Sequence, residues 1–355
     1  MKSLRIFTIA LLICGAAAVL IRAQAPAPRS GPGVQAANDA REPDVLKTCK
    51  VPPPAAGGRG PGGRGPAEAP PARNLAVKEI PGVIAAGQQW KMIWQTDGNN
   101  ADGIIGTKDG GLLIAQNDNS AVVKLDKNGK PSTVYTDTNT GGAVSQNTKG
   151  VLFLNSRGLN PAILELAPER KTFVSKYQGD PLDCIGVVLN DLAADSKGGA
   201  YFTMGGLYYA DPKGVVAKYG DNLRTNGIIL SADEKTLYVT NGGTLVAFDV
   251  QKDGGLANQR DFAKLEAGGG GDGSTIDSTG RIYVTSNPGI QVIGPDGKYL
   301  GLIPTPDNVI SAAFSGPGKK TLYAVISHRE GTPPHLSAQI IEIPMLAQGY
   351  KGRAK

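Results

Sequence analysis

Four oxygen-bearing side chains occur at one position of a repeated sequence pattern and could bind a metal ion together. They are Asp102, Asn190, Asn226 and Asp272, each 11 or 12 residues before the large central residue of a β-rich run. Two carboxylates and two amide oxygens that meet would bind one hard divalent cation, with Ca²⁺ the expected ion and Mg²⁺, Mn²⁺ or Zn²⁺ as alternatives. Without a cation the two carboxylates would repel each other. We therefore predict a metal site, provided that the fold brings the four residues together.

The same residues also have a purely structural interpretation. Three of the four precede a glycine, at Gly103, Gly227 and Gly273, and Asp-Gly and Asn-Gly pairs commonly form tight turns. In the other two repeats the equivalent residues are Gly142 and Ala312, which are small. Small residues would leave room for a site where four polar side chains meet. The pattern favours a metal site, and the turn interpretation stays open.

The position is defined by a turn and a short β-rich run that occur six times. The central large residues of these runs are Leu113, Phe153, Tyr201, Tyr238, Tyr283 and Tyr323, at separations of 37 to 48 residues. A repeat of this length made of short strands indicates a propeller blade. The 49 Gly and 25 Pro residues argue against a helical bundle and agree with many tight turns. The sequence predicts an all-β fold, a six-bladed β-propeller with four-stranded antiparallel blades over residues 75–355.

The last repeat contains only three clear strands, which end at residues 340–343. We expect an N-terminal strand, from residues 77–84 or residues 90–95, to complete that blade and close the ring. In a closed ring, equivalent positions of the innermost strands converge on the central axis at one face. The predicted ligands, far apart in the sequence, would become neighbours there.

Residues 1–23 have the features of a secretory signal peptide. Lys2 and Arg5 precede an apolar run, and cleavage is favoured after Ala23, with Ala25 as the alternative. An uncleaved single-span anchor is the competing interpretation, although a span usually needs about 20 apolar residues. We expect export to the periplasm or the extracellular space, with no membrane association after cleavage.

Residues 24–74 are rich in Pro, Gly, Ala and Arg and are predicted to form a disordered linker that folding does not require, because they bury little apolar surface. Only residues 42–52 contain the side chains needed to dock on the propeller. After removal of the leader, Cys49 and Cys184 are the remaining cysteines, and an oxidising compartment permits a disulfide between them. Whether they pair depends on their geometry.

The net charge of +6 does not indicate a nucleic-acid partner. Residues 1–22 and residues 26–74 each carry +3, whereas residues 75–355 contain 27 basic and 27 acidic side chains. A neutral body without a basic run gives no electrostatic footprint for DNA, RNA or an anionic membrane. The two histidines, His328 and His335, lie in one Pro-rich stretch and are expected in a solvated loop.

Three stretches of the sequence resemble a known family. Residues 189–203, 225–240 and 272–284 are similar to the senescence marker protein/gluconolactonase/luciferin-regenerating family, and the resemblance extends over residues 88–344. That family consists of six-bladed propellers with one divalent metal ion in the central channel, and many members hydrolyse sugar lactones. The resemblance implies the same fold and a related metal-dependent activity.

By this resemblance Asn226 and Asp272 match metal ligands, and Asn190 matches an Asn that contacts the metal or the substrate. Asp102 occupies the place of a ligand Glu and is one methylene shorter, which implies a bond through water or a weaker bond. Val188 occupies a place where characterised sugar lactonases often carry a substrate-binding Arg. This departure argues against gluconolactone as the substrate.

Two functions are compatible with these residues. The first is a secreted metal-dependent hydrolase of lactones or related esters, gluconolactonase-like, in which the cation polarises the carbonyl and Asp272 takes the proton of the attacking water. The second is a non-catalytic secreted propeller that binds a ligand or protein partner at the same mouth, because a fold alone does not determine function. Lactone assays with and without EDTA distinguish the two.

Overall fold

Six four-stranded antiparallel sheets, one for each sequence repeat, are arranged as the blades of a β-propeller. The computed structural model describes residues 39–53, 73–331 and 335–355. The prediction of an all-β, six-bladed propeller is confirmed. The predicted signal peptide lies outside the described residues, and within them no helix has the length and apolar character needed to cross a membrane.

The strands follow one another from the axis outwards in each blade. A short helix, α1 (Glu42–Leu46), and strand β1 (Lys91–Asp97) precede the first blade. Blade one consists of β2 (Ile104–Gly106), β3 (Leu112–Gln116), β4 (Ala121–Leu125) and β5 (Pro131–Tyr135). Blade two consists of β6 (Gly141–Gln146), β7 (Leu152–Ser156), β8 (Ala162–Ala167) and β9 (Lys171–Val174), followed by a small hairpin of β10 (Lys176–Tyr177) and β11 (Asp180–Pro181).

The remaining blades repeat this order. Blade three consists of β12 (Leu192–Ala194), β13 (Ala200–Thr203), β14 (Leu207–Ala210) and β15 (Val216–Tyr219). Blade four consists of β16 (Thr225–Leu230), β17 (Thr236–Asn241), β18 (Thr244–Val250) and β19 (Leu256–Lys264). Blade five consists of β20 (Ser274–Ile276), β21 (Ile282–Ser286), β22 (Gly289–Ile293) and β23 (Tyr299–Pro304). Blade six contains β24 (Asn308–Ser315), β25 (Thr321–Glu330) and β26 (His335–Pro344).

Blade six is completed by the first strand of the propeller. β1 pairs antiparallel with β26 and becomes the outer strand, so residues 90–95 supply the closing strand. Residues 77–84 instead turn back on themselves, with a bridge between Ile80 and Ile84. Val83 and Ile84 are fully buried against the apolar core between blades five and six. This segment packs on the ring but does not extend a sheet.

Apolar side chains fill the spaces between neighbouring blades and hold the inner strands in place. Between blades three and four, Tyr201, Ile228, Leu237 and Phe248 are at most 2% exposed. Burying a large apolar side chain stabilises the fold by about 1.5–3 kcal/mol. The inner strands therefore form a rigid frame around the axis.

The ring has two distinct faces. The inner strands all begin at one face, here called the upper face, and end at the opposite, lower face. After β26 the chain crosses the lower face as a tail of residues 345–355. In this tail Gly349 bridges to Asp277, which directly follows β20. Ala354 bridges to Gln146, the last residue of β6.

The N-terminal segment, residues 39–53, is attached to the propeller by a disulfide. Cys49 and Cys184, the pair considered from the sequence, are joined, with their Cα atoms 5.6 Å apart. Cys184 lies in a 3₁₀ turn (Leu182–Ile185) between blades two and three. The N–H of Lys50 also donates to the Oδ2 of Asp180 at 3.2 Å. Part of the predicted linker is therefore fixed beside the loop that leads to Asn190.

A chain that begins at Arg73 should fold cooperatively and should have the same melting temperature as the full-length protein with its disulfide reduced. Helix α1 buries none of its residues, so the non-covalent contribution of this segment to the free energy of unfolding is small. The disulfide spans 135 residues, and a cross-link over such a loop stabilises by about 4–5 kcal/mol in the chain-entropy treatment. Thermal unfolding of the oxidised, reduced and truncated chains measures both contributions. Non-cooperative unfolding of the truncated chain would show that the removed residues belong to the core.

Candidate metal centre and active site

The inner strands place the four predicted ligands at one level of the upper face. In each of these four blades, the large central residue of the second strand pairs with a residue of the inner strand. The predicted ligand lies three residues before that inner-strand residue. Examples are the pairs Ile105↔Leu113 in blade one and Thr275↔Tyr283 in blade five. Residues at the same level of the inner strands surround the axis, as the repeat pattern predicts.

Ala312 is not the equivalent residue in blade six, so that part of the sequence alignment is wrong. Tyr323 pairs with the residue after Ala312, which places Ile310 at the level of the ligands. The N–H of Gly273 donates to the backbone oxygen of Ile310 at 3.0 Å. Two features cause the offset: Tyr323 is the third residue of β25, whereas Leu113 is the second residue of β3, and the β24–β25 register shifts between Val309 and Ser311.

The glycines that follow three of the ligands allow neighbouring inner strands to approach each other. A Cβ on Gly227 would lie 1.8 Å from the backbone oxygen of Asp272, and a Cβ on Gly103 would lie 2.6 Å from the Cα of Ala143. None of Gly103, Gly227 and Gly273 has a left-handed backbone. Their role is close packing around the channel rather than turn formation.

Hydroxyl groups at the ends of the second strands hold the starts of the inner strands. The Oγ1 of Thr203 donates to the backbone oxygen of Asn226 at 2.5 Å. The Oγ1 of Thr285 donates to the backbone oxygen of Gly273 at 2.9 Å. These contacts fix the backbones at Asn226 and Asp272 without using their side chains, which leaves both side chains available to the channel.

Asn226 and Asp272 are the two oxygen donors best prepared for a cation. The Oδ1 of Asn226 is buried and has no hydrogen-bond partner among the described residues. An unpaired buried polar group costs about 1–3 kcal/mol. Burial of the Asp272 carboxyl, followed by the nearby charges of Asp102 and Asp191, raises its pKa to about 7. A divalent cation at this point would satisfy the first group and neutralise the second.

The chemistry of these donors fits a hard cation. Within the described parts of the chain, no three His, Cys, Asp or Glu side chains form a metal-binding cluster. A cation at this site would therefore depend on amide oxygens together with carboxylates. Oxygen donors suit Ca²⁺ and Mg²⁺, whereas Zn²⁺ is usually bound by nitrogen and sulfur.

Arg157, which the sequence analysis missed, lies within the predicted site. It follows β7, and its Nη1 donates to the Oδ2 of Asp102 in an ion pair whose side chains are each 14% exposed. Its Nη2 donates to the backbone oxygen of Asn190 at 2.6 Å and to the Oδ1 of the same residue at 3.0 Å. Its Nε donates to the backbone oxygen of Leu189 at 3.0 Å. One guanidinium thus joins two of the predicted ligands.

Gly142 makes room for this guanidinium. A Cβ at Gly142 would lie 1.9 Å from the Nε of Arg157. In blade one, Asn117 has the equivalent position and its Nδ2 donates to the Oδ2 of Asp102 at 2.8 Å. Asn117 and Arg157 each follow the central large residue of their repeat by four positions. This shared position is the signal by which the sequence could have identified them.

These contacts distinguish the roles of the predicted ligands. Both Arg157 and Asn117 use the Oδ2 of Asp102, and its Oδ1 takes part in neither contact. The Oδ1 of Asn190 already accepts a hydrogen bond from Arg157. Val188 is partly buried in the loop before Asn190, and its role toward a substrate stays a prediction.

The two histidines lie in strands rather than in the predicted solvated loop. His328 belongs to β25 and His335 begins β26. The Nδ1 of His328 lies 2.7 Å from the Oδ2 of Asp307, and the ion pairs described for both histidines involve none of the predicted ligands. The long β25–β26 hairpin extends the pairing beyond the length expected from the sequence.

The sequence of the chain matches a known family over the part that carries Asn190, Asn226 and Asp272. A family profile described as the SMP-30/Gluconolactonase/LRE-like region matches residues 131–328, which is more than half of the chain. The protein therefore belongs to the SMP-30/gluconolactonase/LRE-like family. The resemblance predicted from the sequence motifs is confirmed.

Individual relatives agree with this assignment. A gluconolactonase from Zymomonas mobilis is 28% identical over 201 residues, which cover 47% of this chain and 55% of that protein, so the match spans about half of the relative. The structure of a gluconolactonase from Xanthomonas campestris has a TM-score of 0.61 at 21% identity and covers 73% of this chain and 89% of that one. Regucalcin, a calcium-binding protein from Agrobacterium tumefaciens, has a TM-score of 0.57 at 18% identity, with coverage of 74% and 98%. The two structures show the same fold.

Proposed function

We propose that this protein is an exported, metal-dependent hydrolase of lactones or related esters. The observation that carries the proposal is the unpaired Oδ1 of Asn226 next to the strand of Asp272, in the channel of a gluconolactonase-like family member. The gluconolactonase of Z. mobilis supports the reaction class. Regucalcin, described as a calcium-binding protein, supports Ca²⁺ as the cation.

The residues of the channel have separate tasks in this reaction. When bound, a divalent cation would polarise the lactone carbonyl and stabilise negative charge on its oxygen. Asn226 and Asp272 would hold the cation, and Asp102 would add charge from a position fixed by Arg157. The carboxylate of Asp272 accepts a proton from water as the water oxygen attacks the carbonyl carbon. The ring C–O bond then breaks, and the proton passes to the leaving oxygen to give the hydroxy acid.

The rim of the channel favours a lactone with an apolar substituent over a sugar lactone. Val188 offers no hydrogen bond, and Val187 beside it is 49% exposed. The guanidinium of Arg157 is already committed to Asp102 and Asn190. The side of the mouth next to blade three therefore presents apolar surface to a bound substrate.

Export is supported by two features. Residues 1–23 have the sequence of a signal peptide, and the Cys49–Cys184 disulfide suits an oxidising compartment. Cell fractionation followed by N-terminal sequencing tests this part of the proposal. A mature protein found outside the cytoplasm and starting at residue 24 is the expected result, and an intact leader on cytoplasmic protein would contradict it.

Hydrolysis of a lactone panel by the purified protein, before and after EDTA treatment, tests the reaction. We expect hydrolysis to disappear with EDTA and to return on addition of Ca²⁺, with alkyl-substituted lactones preferred to gluconolactone. Asp233→Asn, in an exposed turn, serves as a control variant with unchanged rate. Activity that ignores EDTA would contradict the metal mechanism. Saturable ligand binding without any turnover would favour the non-catalytic propeller.

A further inference from the structure

The tail on the lower face inserts a positive charge into the channel from below. The tail is anchored by Arg353, which is 3% exposed and donates from Nη1 to the backbone oxygen of Ser231 at 3.0 Å and from Nη2 to that of Leu230. The next residue, Ala354, pairs with Gln146 of β6. This path directs the side chain of the following residue, Lys355, between the inner strands.

Lys355 forms a buried ion pair inside the ring. Its Nζ donates to the Oδ1 of Asp191 and, at 3.0 Å, to the backbone oxygen of Leu192. The side chains of Lys355 and Asp191 are only 5% and 9% exposed. Removing one partner of a buried ion pair is strongly destabilising, so the position of Asp191 depends on Lys355.

Asp191 connects the strands that carry the two amide ligands. It directly follows Asn190, and its Oδ1 accepts the N–H of Leu192 at 2.8 Å. Its Oδ2 accepts the N–H of Ile228 at 3.0 Å, two residues after Asn226. The position of this carboxylate therefore sets the separation of the β12 and β16 strand starts.

The same two charges also act on the proposed metal site. Asp191 is close enough to Asp272 to raise the pKa of its carboxyl, and the charges of Lys355 and Asp272 also interact. The ammonium contacts Asp191, the residue that directly follows Asn190. The positive charge of Lys355 opposes the binding of a divalent cation in the channel.

We infer that Lys355 is a positioning residue, an internal counter-cation that holds the Asp191 carboxylate between the strands of Asn190 and Asn226 and limits the affinity of the channel for a divalent cation. The first part of this inference concerns the fold alone. The second part rests on the proposed function, because it assumes that a cation binds at Asp272.

The pairing is tested by melting of metal-free protein in a double-mutant cycle. Lys355→Met should lower the melting temperature by roughly 5–10 °C, because it leaves the charge of Asp191 buried and unpaired. Lys355→Met combined with Asp191→Asn should melt above Lys355→Met, because neither charge is then left buried without its partner. Lys351→Met, an exposed change in the same tail, should leave the melting temperature unchanged. Additive effects of the two substitutions in the cycle would overturn the inference.

Calorimetric titration with Ca²⁺ tests the effect on the site. Removing one positive charge near Asp272 should tighten Ca²⁺ binding by on the order of tenfold in Lys355→Met, with no change in Lys351→Met. Equal or weaker binding in Lys355→Met would overturn the second part of the inference. If wild-type protein binds no Ca²⁺, the proposed metal chemistry fails and the second part fails with it, whereas the melting cycle still decides the first. Should Lys355→Met not fold, the Asp191→Asn/Lys355→Met protein replaces it: rescue of folding supports the pairing, and failure to rescue contradicts it.

Discussion

Asp272→Asn is expected to lower lactone turnover by about 10²–10⁴-fold while the propeller stays folded. The substitution keeps an oxygen donor and the shape of the side chain, but removes the negative charge and the proton acceptor. The strand contacts at this position use backbone atoms, so they persist in the variant. Steady-state rates at saturating Ca²⁺ measure the loss. Asp102→Asn should instead weaken metal affinity more than it lowers the rate at saturating metal.

Metal-free Asp272→Asn protein should be more stable than the metal-free wild type at neutral pH. The folded-state pKa of Asp272 is about 7, above the ordinary value for Asp, so ionisation of this group is harder in the folded protein. Ionisation of Asp272 therefore lowers the free energy of unfolding. This loss of stability is absent below the unfolded-state pKa of about 4 and grows as the pH rises toward the folded-state pKa. The melting temperatures of the two metal-free proteins should therefore differ at pH 8 and converge toward pH 4. Equal melting temperatures at pH 8 would contradict the burial of a repelled carboxylate.

Arg157→Met is expected to destabilise the metal-free protein by about 3 kcal/mol, because it leaves a mostly buried carboxylate without its cationic partner. Asp102 would retain its contact with Asn117, and the backbone oxygens of Leu189 and Asn190 would each lose one of two donors and keep the Nδ2 of Asn155. Urea unfolding with and without Ca²⁺ measures the effect. The loss should be smaller with Ca²⁺, since a bound cation neutralises the same carboxylate.

Arg260→Met provides a matched control for this prediction. Its partner is Asp249, and the two side chains are 45% and 41% exposed. Exposed ion pairs contribute at most about 1 kcal/mol, so the control should change stability little and should not respond to Ca²⁺. If Arg157→Met behaves like Arg260→Met, the guanidinium is not part of the site.

The repeat pattern was sufficient to predict the ring and the shared level of the four predicted ligands on the inner strands. A blade buries its faces only against its neighbours, so the same turn and strand signals recur at each of the six positions. The prediction failed at Ala312, because counting back from Tyr323 assumes that the central large residue has the same place in its strand and that the pairing is regular. In blade six Tyr323 is the third residue of β25, and the pairing shifts between Val309 and Ser311.

Arg157 and Lys355 were not predicted, for a different reason. Both reach the channel by tertiary packing: Arg157 crosses from blade two over the space left by Gly142, and Lys355 arrives on a tail with no repeat signal. A single-sequence pattern locates what the inner strands carry. It does not locate side chains that reach the axis from other elements.

Calcium titration of metal-free protein, comparing the wild type with Asn226→Leu, tests the central claim most directly. The claim is that the unpaired Oδ1 of Asn226 and the carboxylate of Asp272 form one cation site in the channel. Calorimetry should show one Ca²⁺ per wild-type chain, and Asn226→Leu should bind at least about tenfold more weakly, as expected when an interaction worth about 1.4 kcal/mol is lost. The variant should melt no lower than the wild type without metal, because it removes an unpaired polar atom. Unchanged affinity in Asn226→Leu, or no binding by the wild type, would contradict the account.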